Sequence, residues 1–265
     1  MTTTPETVRS ADGTTIAFDR LGEGAPVILI GGAFNDRTTV AGLASVLAPD
    51  FTTIAYDRRG RGDSTDGEKY AVEREIEDVA ALIEQVGGHA SLFGHSSGAI
   101  LALDAAASGL AVDRVVAYEP PYVVGDREFS KEDLVDRVRA CVEAGDRDGA
   151  VVLFMTEGAD TPADVVESMR TEPIWGWFTA LAHTLPYDLA LGGGLRPPVE
   201  LLAKIAVPTL VIGGGTSPQW FRSAAQAVAG VVPDARYEVL EGHDHGVLHQ
   251  PEALRPLLTS FFGEE

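Results

Sequence analysis

Cysteine is all but missing from this 265-residue chain, with Cys141 standing alone. A single thiol excludes an intrachain disulfide and a cysteine-built zinc site, so the fold must rest on its apolar core. Lysine is scarce too, confined to Lys69, Lys131 and Lys204, and acidic side chains outnumber basic ones 40 to 20. The formal charge of −20, with a pI near 4.6, repels polyanions and anionic bilayers, which excludes nucleic acid and membrane surfaces as main partners. No apolar run approaches the length that spans a bilayer. The opening residues Met1-Thr2-Thr3-Thr4-Pro5-Glu6-Thr7 lack the basic-then-apolar order of a secretory signal, so the chain reads as soluble and cytoplasmic. No phosphate loop or nicotinamide fingerprint is present, and His243, Asp244 and His245 are too close in sequence to cage a metal. Neither cofactor nor metal is expected, and a homodimer is compatible with the sequence.

Apolar residues are plentiful, at 45% of the chain, enough for one large α/β domain. Two short alternating segments, 6–10 and 14–18, flank Ala11-Asp12-Gly13 and predict a hairpin. Continuous apolar runs over 27–30, 53–56, 90–93, 114–118, 209–212 and 236–240 are of the kind buried on both faces of a parallel sheet. Helical spacing separates most of them, over 72–86, 97–108, 219–229 and 251–262; in the first, Ile76, Val79, Ala80, Ile83 and Val86 make one apolar face. The rhythm predicts a mostly parallel sheet covered by helices on both faces. It breaks between about Tyr122 and Lys204, where helical stretches (131–144, 162–169) and aromatics (Trp175, Trp177, Phe178, Tyr187) precede Gly192-Gly193-Gly194. We expect a core domain of residues 1–121 and 205–265, with 122–204 inserted as a helical lid.

Gly94-His95-Ser96-Ser97-Gly98 is a G-x-S-x-G pattern set between a strand-like run and a helix-like one. The two glycines permit a turn too tight for side chains, which exposes Ser96 at a strand end and at a helix amino terminus. A serine used as nucleophile needs a base, an orienting acid and oxyanion donors. For the base, the late loop offers three histidines. His245, where the loop leaves the last strand, is the first choice; His243 on the strand shoulder is the second, and His249 falls beside the next helix. His95 is expected to pack beneath the turn.

These features resemble those of α/β-hydrolases, over nearly the whole chain. Besides the elbow, Tyr56-Asp57-Arg58-Arg59-Gly60-Arg61-Gly62-Asp63-Ser64 is similar to the D-x-R-G-x-G-x-S turn after the fourth strand. Pro208-Thr209-Leu210-Val211-Ile212-Gly213-Gly214 and a terminal H-x-x-x-x-x-P-E pattern complete the likeness, and the latter selects His245. Asp57 then belongs to the turn and is structural. The resemblance implies oxyanion donors at the amides of Ala33 and Ser97, or of Phe34 if the loop is shifted by one. Many relatives carry His-Gly after the third strand; here the residues are Gly31-Gly32-Ala33-Phe34. The usual acid is missing as well: Gly213-Gly214-Gly215-Thr216-Ser217-Pro218 holds no carboxylate, and Thr216 stands in the customary place. Glu119, at the end of the preceding buried strand, is the expected substitute, a position some family members use. Within the family the arrangement resembles that of the zearalenone-lactonase type.

The expected activity is hydrolysis of a small neutral carboxylic ester or lactone by Ser96, His245 and Glu119. Thioester, carbon–carbon, perhydrolase or acyltransferase chemistry would use the same residues. A hydrolase-fold receptor for a small molecule and a non-catalytic scaffold are the alternatives outside that class. Trp175, Trp177, Phe178 and His183, with Phe34, are candidates for an apolar pocket under the lid, lid-core packing being the other reading.

Overall fold

The computed structural model describes residues 4–125, 133–191 and 196–264. A hairpin of β1 (Glu6–Arg9) and β2 (Thr15–Leu21) leads into β3 (Pro26–Ile30), α1 (Arg37–Leu47), β4 (Thr52–Tyr56), α2 (Val72–Gln85), β5 (Ala90–His95), α3 (Ser97–Ala107) and β6 (Val112–Tyr118). The insertion carries α4 (Leu134–Glu143), α5 (Arg147–Leu153), a π turn (Phe154–Gly158), α6 (Ala163–Met169), α7 (Ile174–Leu181), a 3-10 turn (Ala182–Thr184), α8 (Leu185–Ala190) and α9 (Val199–Leu202). The core resumes with β7 (Thr209–Gly214), α10 (Gln219–Ala229), β8 (Ala235–Leu240) and α11 (Arg255–Phe262). The expected glycine run at 192–194 and the start of the 131–144 helix lie outside the described residues.

The eight strands form one sheet in the order β1-β2-β4-β3-β5-β6-β7-β8. Only the β1/β2 and β2/β4 pairings are antiparallel; from β4 to β8 every pairing is parallel. This is the α/β-hydrolase fold. All residues of β3 and β5 are buried, because helices cover both faces of the sheet. One face packs on α2, α3 and α10 through residues such as Val79, Leu101 and Ala224. The other packs on α1 and α11 through Leu43 and Phe261. The insertion has a small apolar cluster of its own, including Leu134, Val151, Met155, Trp175 and Leu185. Leu202 on α9 belongs to the main core instead, so the separate packing of the insertion ends before that helix.

Two local expectations change. The stretch 251–262 is a 3-10 turn (Pro251–Ala253) followed by α11, because Pro256 in the first turn of α11 lacks an N–H and restricts the residue before it. On α2, Ile76 and Ala80 are only half-buried, whereas Glu75 and Asp78 are buried. Both carboxylates are held by arginines of the turn after β4: Arg58 to Glu75 with two bonds of 2.6 Å, and Arg59 to Asp78 at 2.7 and 2.8 Å.

Candidate active site

The elbow between β5 and α3 places Ser96 at φ 57°, ψ −125°, a conformation that costs a non-glycine residue on the order of 1–3 kcal/mol. Its neighbours enforce that backbone. A Cβ on Gly94 would sit 2.3 Å from the carbonyl oxygen of Gly98, and one on Gly98 2.3 Å from that of Ile30. The Ser96 amide is tied to the Tyr118 carbonyl of β6 at 2.9 Å. The loop after β3 passes so close that a Cβ on Gly32 would be 2.8 Å from the Ser96 Cβ. Ser97, first residue of α3, has no partner for its amide within the helix, as at any helix amino terminus.

His245 and Glu119 meet directly: Nδ1 of His245 lies 2.7 Å from Oε2 of Glu119, which is fully buried at the end of β6. With Nδ1 turned to the carboxylate, Nε2 is the ring atom left for a serine proton. Oε1 of Glu119 accepts the Gly214 amide at 2.7 Å. The ring of Phe221 stacks on the imidazole, with centroids 4.3 Å apart. Beneath it, His95 Nε2 donates to the His245 carbonyl at 2.8 Å, and the Tyr118 hydroxyl donates to the Asp244 carbonyl at 2.7 Å. Burial, with His245 beside it, lowers the His95 pKa to about 3, so His95 is a neutral support at neutral pH.

The other acids and histidines of the region do different work. Asp244 caps the Gly246 amide at 2.8 Å, and the Thr216 amide donates to the His243 carbonyl at 3.0 Å. Asp57 receives the amides of Arg37 (2.7 Å) and Asp63 (2.9 Å), a structural role at the turn.

Ser96 and His245 share a cavity of about 1210 Å³ between the strand ends and the insertion, walled by Phe34, Tyr122, Phe154, Trp177, Phe178 and Phe221. Ala33 and Ser97 also line it. Of the predicted pocket residues, Phe34, Trp177 and Phe178 are in this wall; Trp175 and His183 are not. Trp175 and Trp177 are two positions apart on α7 and so point to nearly opposite sides. Trp175 turns into the cluster within the insertion and donates its indole N–H to Asp148 at 2.7 Å. His183 bonds the Gly60 carbonyl at 2.7 Å and fastens the insertion to the turn after β4. Trp220 and Phe221, from the start of α10, were not singled out in the sequence although both line the cavity.

A buried ionic cluster beside the serine was equally unforeseen. Asp188 of α8 receives Arg58 at 2.7 Å, Arg61 at 2.8 and 2.9 Å, and the Ser97 hydroxyl at 2.7 Å. Burial opposes ionisation of Asp188, but the two guanidinium groups outweigh it and hold the carboxyl below its usual range. Arg58 and Arg61 occupy the variable positions of the D-x-R-G-x-G-x-S turn. Among the described residues, no group of three or more His, Cys, Asp or Glu side chains is arranged to hold a metal ion, and no helix is long and apolar enough to cross a membrane.

Comparison with known proteins gives a consistent picture. The chain is similar to an alpha/beta hydrolase from Sphaerobacter thermophilus, at 52% identity and a TM-score of 0.91, over 97% of this chain and 100% of that one. A thermophilic esterase from Thermogutta terrifontis aligns at 20% identity and a TM-score of 0.73, covering 98% of each chain. An enol-lactonase from Burkholderia xenovorans aligns at 19% and 0.75, over 98% of this chain and 100% of that one. At such identities the last two speak for the fold alone. No curated protein matches the sequence. The model of the alpha/beta hydrolase family matches residues 24–257, nearly the whole chain. The chain therefore belongs to the alpha/beta hydrolase family.

Proposed function

We propose that the protein is a serine hydrolase that cleaves a neutral carboxylic ester or lactone through an acyl-enzyme. The observation that carries this reading is the 2.7 Å contact between buried Glu119 and Nδ1 of an imidazole that shares a cavity with the strained Ser96. Ser96 Oγ attacks the carbonyl carbon while His245 Nε2 takes its proton, and Glu119 stabilises the imidazolium. The amides of Ala33 and Ser97 receive the negative charge that develops on the carbonyl oxygen, each such donor being worth on the order of a hundredfold or more in rate. His245 returns the proton to the departing alkoxide, then removes one from water, which hydrolyses the acyl-enzyme. In a lactone the alkoxide stays tethered to the acyl group, so one product leaves.

The aromatic wall favours an apolar acyl or ring portion, and the net charge of −20 disfavours an anionic one. The likeness of the Glu119 arrangement to zearalenone-lactonase-type enzymes supports the choice of bond. The test is labelling with a fluorophosphonate probe, then turnover of p-nitrophenyl esters and small lactones. Labelling and turnover that both vanish in Ser96→Ala are expected; turnover that survives in folded Ser96→Ala overturns the reading.

A further inference from the structure

We propose that Arg61, anchored by Asp188 of the insertion, is a positioning residue that fixes the oxyanion-binding amide of Ala33 through the carbonyl of Gly32. The inference rests on the serine-hydrolase reading and adds a coupling between lid and oxyanion hole.

The carbonyl of Gly32 and the N–H of Ala33 are two ends of one planar peptide unit, pointing in opposite directions when the bond is trans. No cis peptide bond occurs among the described residues. Arg61 Nη1 donates to the Gly32 oxygen at 2.6 Å and to the Asn35 oxygen at 3.2 Å. Gripping the carbonyl therefore sets the direction of the N–H on the other side of the plane.

The rest of the loop is pinned by the same logic. Gly32 donates its own amide to Asn35 Oδ1 at 2.9 Å, and the Asn35 amide closes the turn onto the Gly32 oxygen at 3.2 Å. Phe34, at φ 60°, is held by the Trp177 indole, which donates to its carbonyl at 2.7 Å. Among the described residues, neither the amide of Ala33 nor that of Phe34 donates to a protein acceptor. A charged donor on the carbonyl also polarises the peptide, which strengthens its N–H as a donor.

Arg61 can stay buried beside the serine only because Asp188 faces it with both oxygens, at 2.8 and 2.9 Å. An unpaired guanidinium there would be strongly disfavoured. Asp188 also accepts the hydroxyl of Ser97, the residue that offers the second oxyanion amide. One carboxylate from the insertion thus braces the supports of both donors, and undocking α8 would loosen the two together. A role in stability alone would leave the chemical step untouched, and that difference is measurable.

Arg61→Met and Asp188→Asn, in the full chain, should lower kcat about thirtyfold or more while KM stays within about threefold, since oxyanion contacts act chiefly in the transition state. Affinity for a trifluoromethyl ketone, which forms a tetrahedral oxyanion on Ser96, should fall in parallel with kcat/KM. Affinity for a non-reacting ether analogue should not change. If Arg61→Met does not fold, Arg61→Lys decides: it keeps a charged donor but not the fork, and should show a smaller kcat loss with the same parallel. Folded variants with wild-type kcat, or with losses confined to KM or melting temperature, overturn the inference while leaving the hydrolase reading intact. A wild type inert to fluorophosphonate and to esters overturns both.

Discussion

Glu119 reaches across to Gly214, the last residue of β7, whose amide donates at 2.7 Å to the carboxylate oxygen that His245 does not use. The stretch 213–218, which holds no carboxylate, still contributes to the proposed triad, because Gly214 supplies the backbone donor that orients Glu119. Gly214 is suited to this, since a Cβ there would lie 2.7 Å from Ser217 Oγ and 2.8 Å from the His243 carbonyl oxygen. Glu119 itself sits at φ 48°, with its amide bonded to the Ile212 carbonyl at 2.9 Å. Strain at the acid and strain at Ser96 are both held by bonds to the next strand.

Removing the charge on Glu119 should be costly for rate and cheap for shape. Glu119→Gln can present an N–H to Nδ1 and so favour the wrong tautomer, lowering kcat on the order of a thousandfold or more with little change in KM. Steady-state kinetics beside a circular-dichroism melt will check this. A folded Glu119→Gln within tenfold of wild type would remove Glu119 from the triad.

Only one of the three late histidines contacts the buried acid. His245→Ala should cost on the order of a thousandfold in turnover, whereas His243→Ala and His249→Ala should remain within about tenfold of wild type. If His243→Ala were the inactive protein, the placement of the loop would be wrong.

Acid should destabilise the fold through His95. Unfolded chains protonate this residue below about pH 6.5, while the folded protein resists until about 3, so stability present at neutral pH is lost as pH falls through that window. Between pH 7 and pH 5 the loss amounts to about 2 kcal/mol. Urea denaturation at both values should show it in the wild type. The difference between the two values should shrink by about that amount in His95→Gln, which keeps a donor but cannot titrate; an unchanged difference would show that His95 is not the group responsible.

Gly94→Ala should be strongly destabilising. Its Cβ would come within 2.3 Å of the Gly98 oxygen and 2.5 Å of the Ala99 Cα, both backbone atoms, so β5 and α3 would have to separate. We expect a loss of about 3 kcal/mol or more, read by chemical denaturation. Wild-type stability in that variant would show that the elbow tolerates a wider turn.

The buried strands were legible because parallel strands covered on both faces leave continuous apolar runs, as at 90–93 and 209–212. Ser96 was legible because a sharp strand-to-helix turn needs glycines on both sides. Glu119 could be picked out only because the loop after β7 lacks an acid. Trp175 and His183 were placed in the pocket by residue type, which does not report the direction of a side chain on α7 or in the 3-10 turn. The cluster of Arg58, Arg61 and Asp188 left no trace, since its members stand up to 130 positions apart and charged residues ordinarily read as solvated surface.

Segments that cover a binding cleft are commonly where related proteins diverge most freely. Asp188 limits that freedom here. A graft bringing a foreign covering segment without an acid at this place would leave Arg58 with Glu75 alone and Arg61 with no counter-charge. Homologues that have changed residue 188 should therefore have changed residues 58 or 61 as well, and new specificities should arise by altering side chains along α7 rather than by exchanging the whole segment.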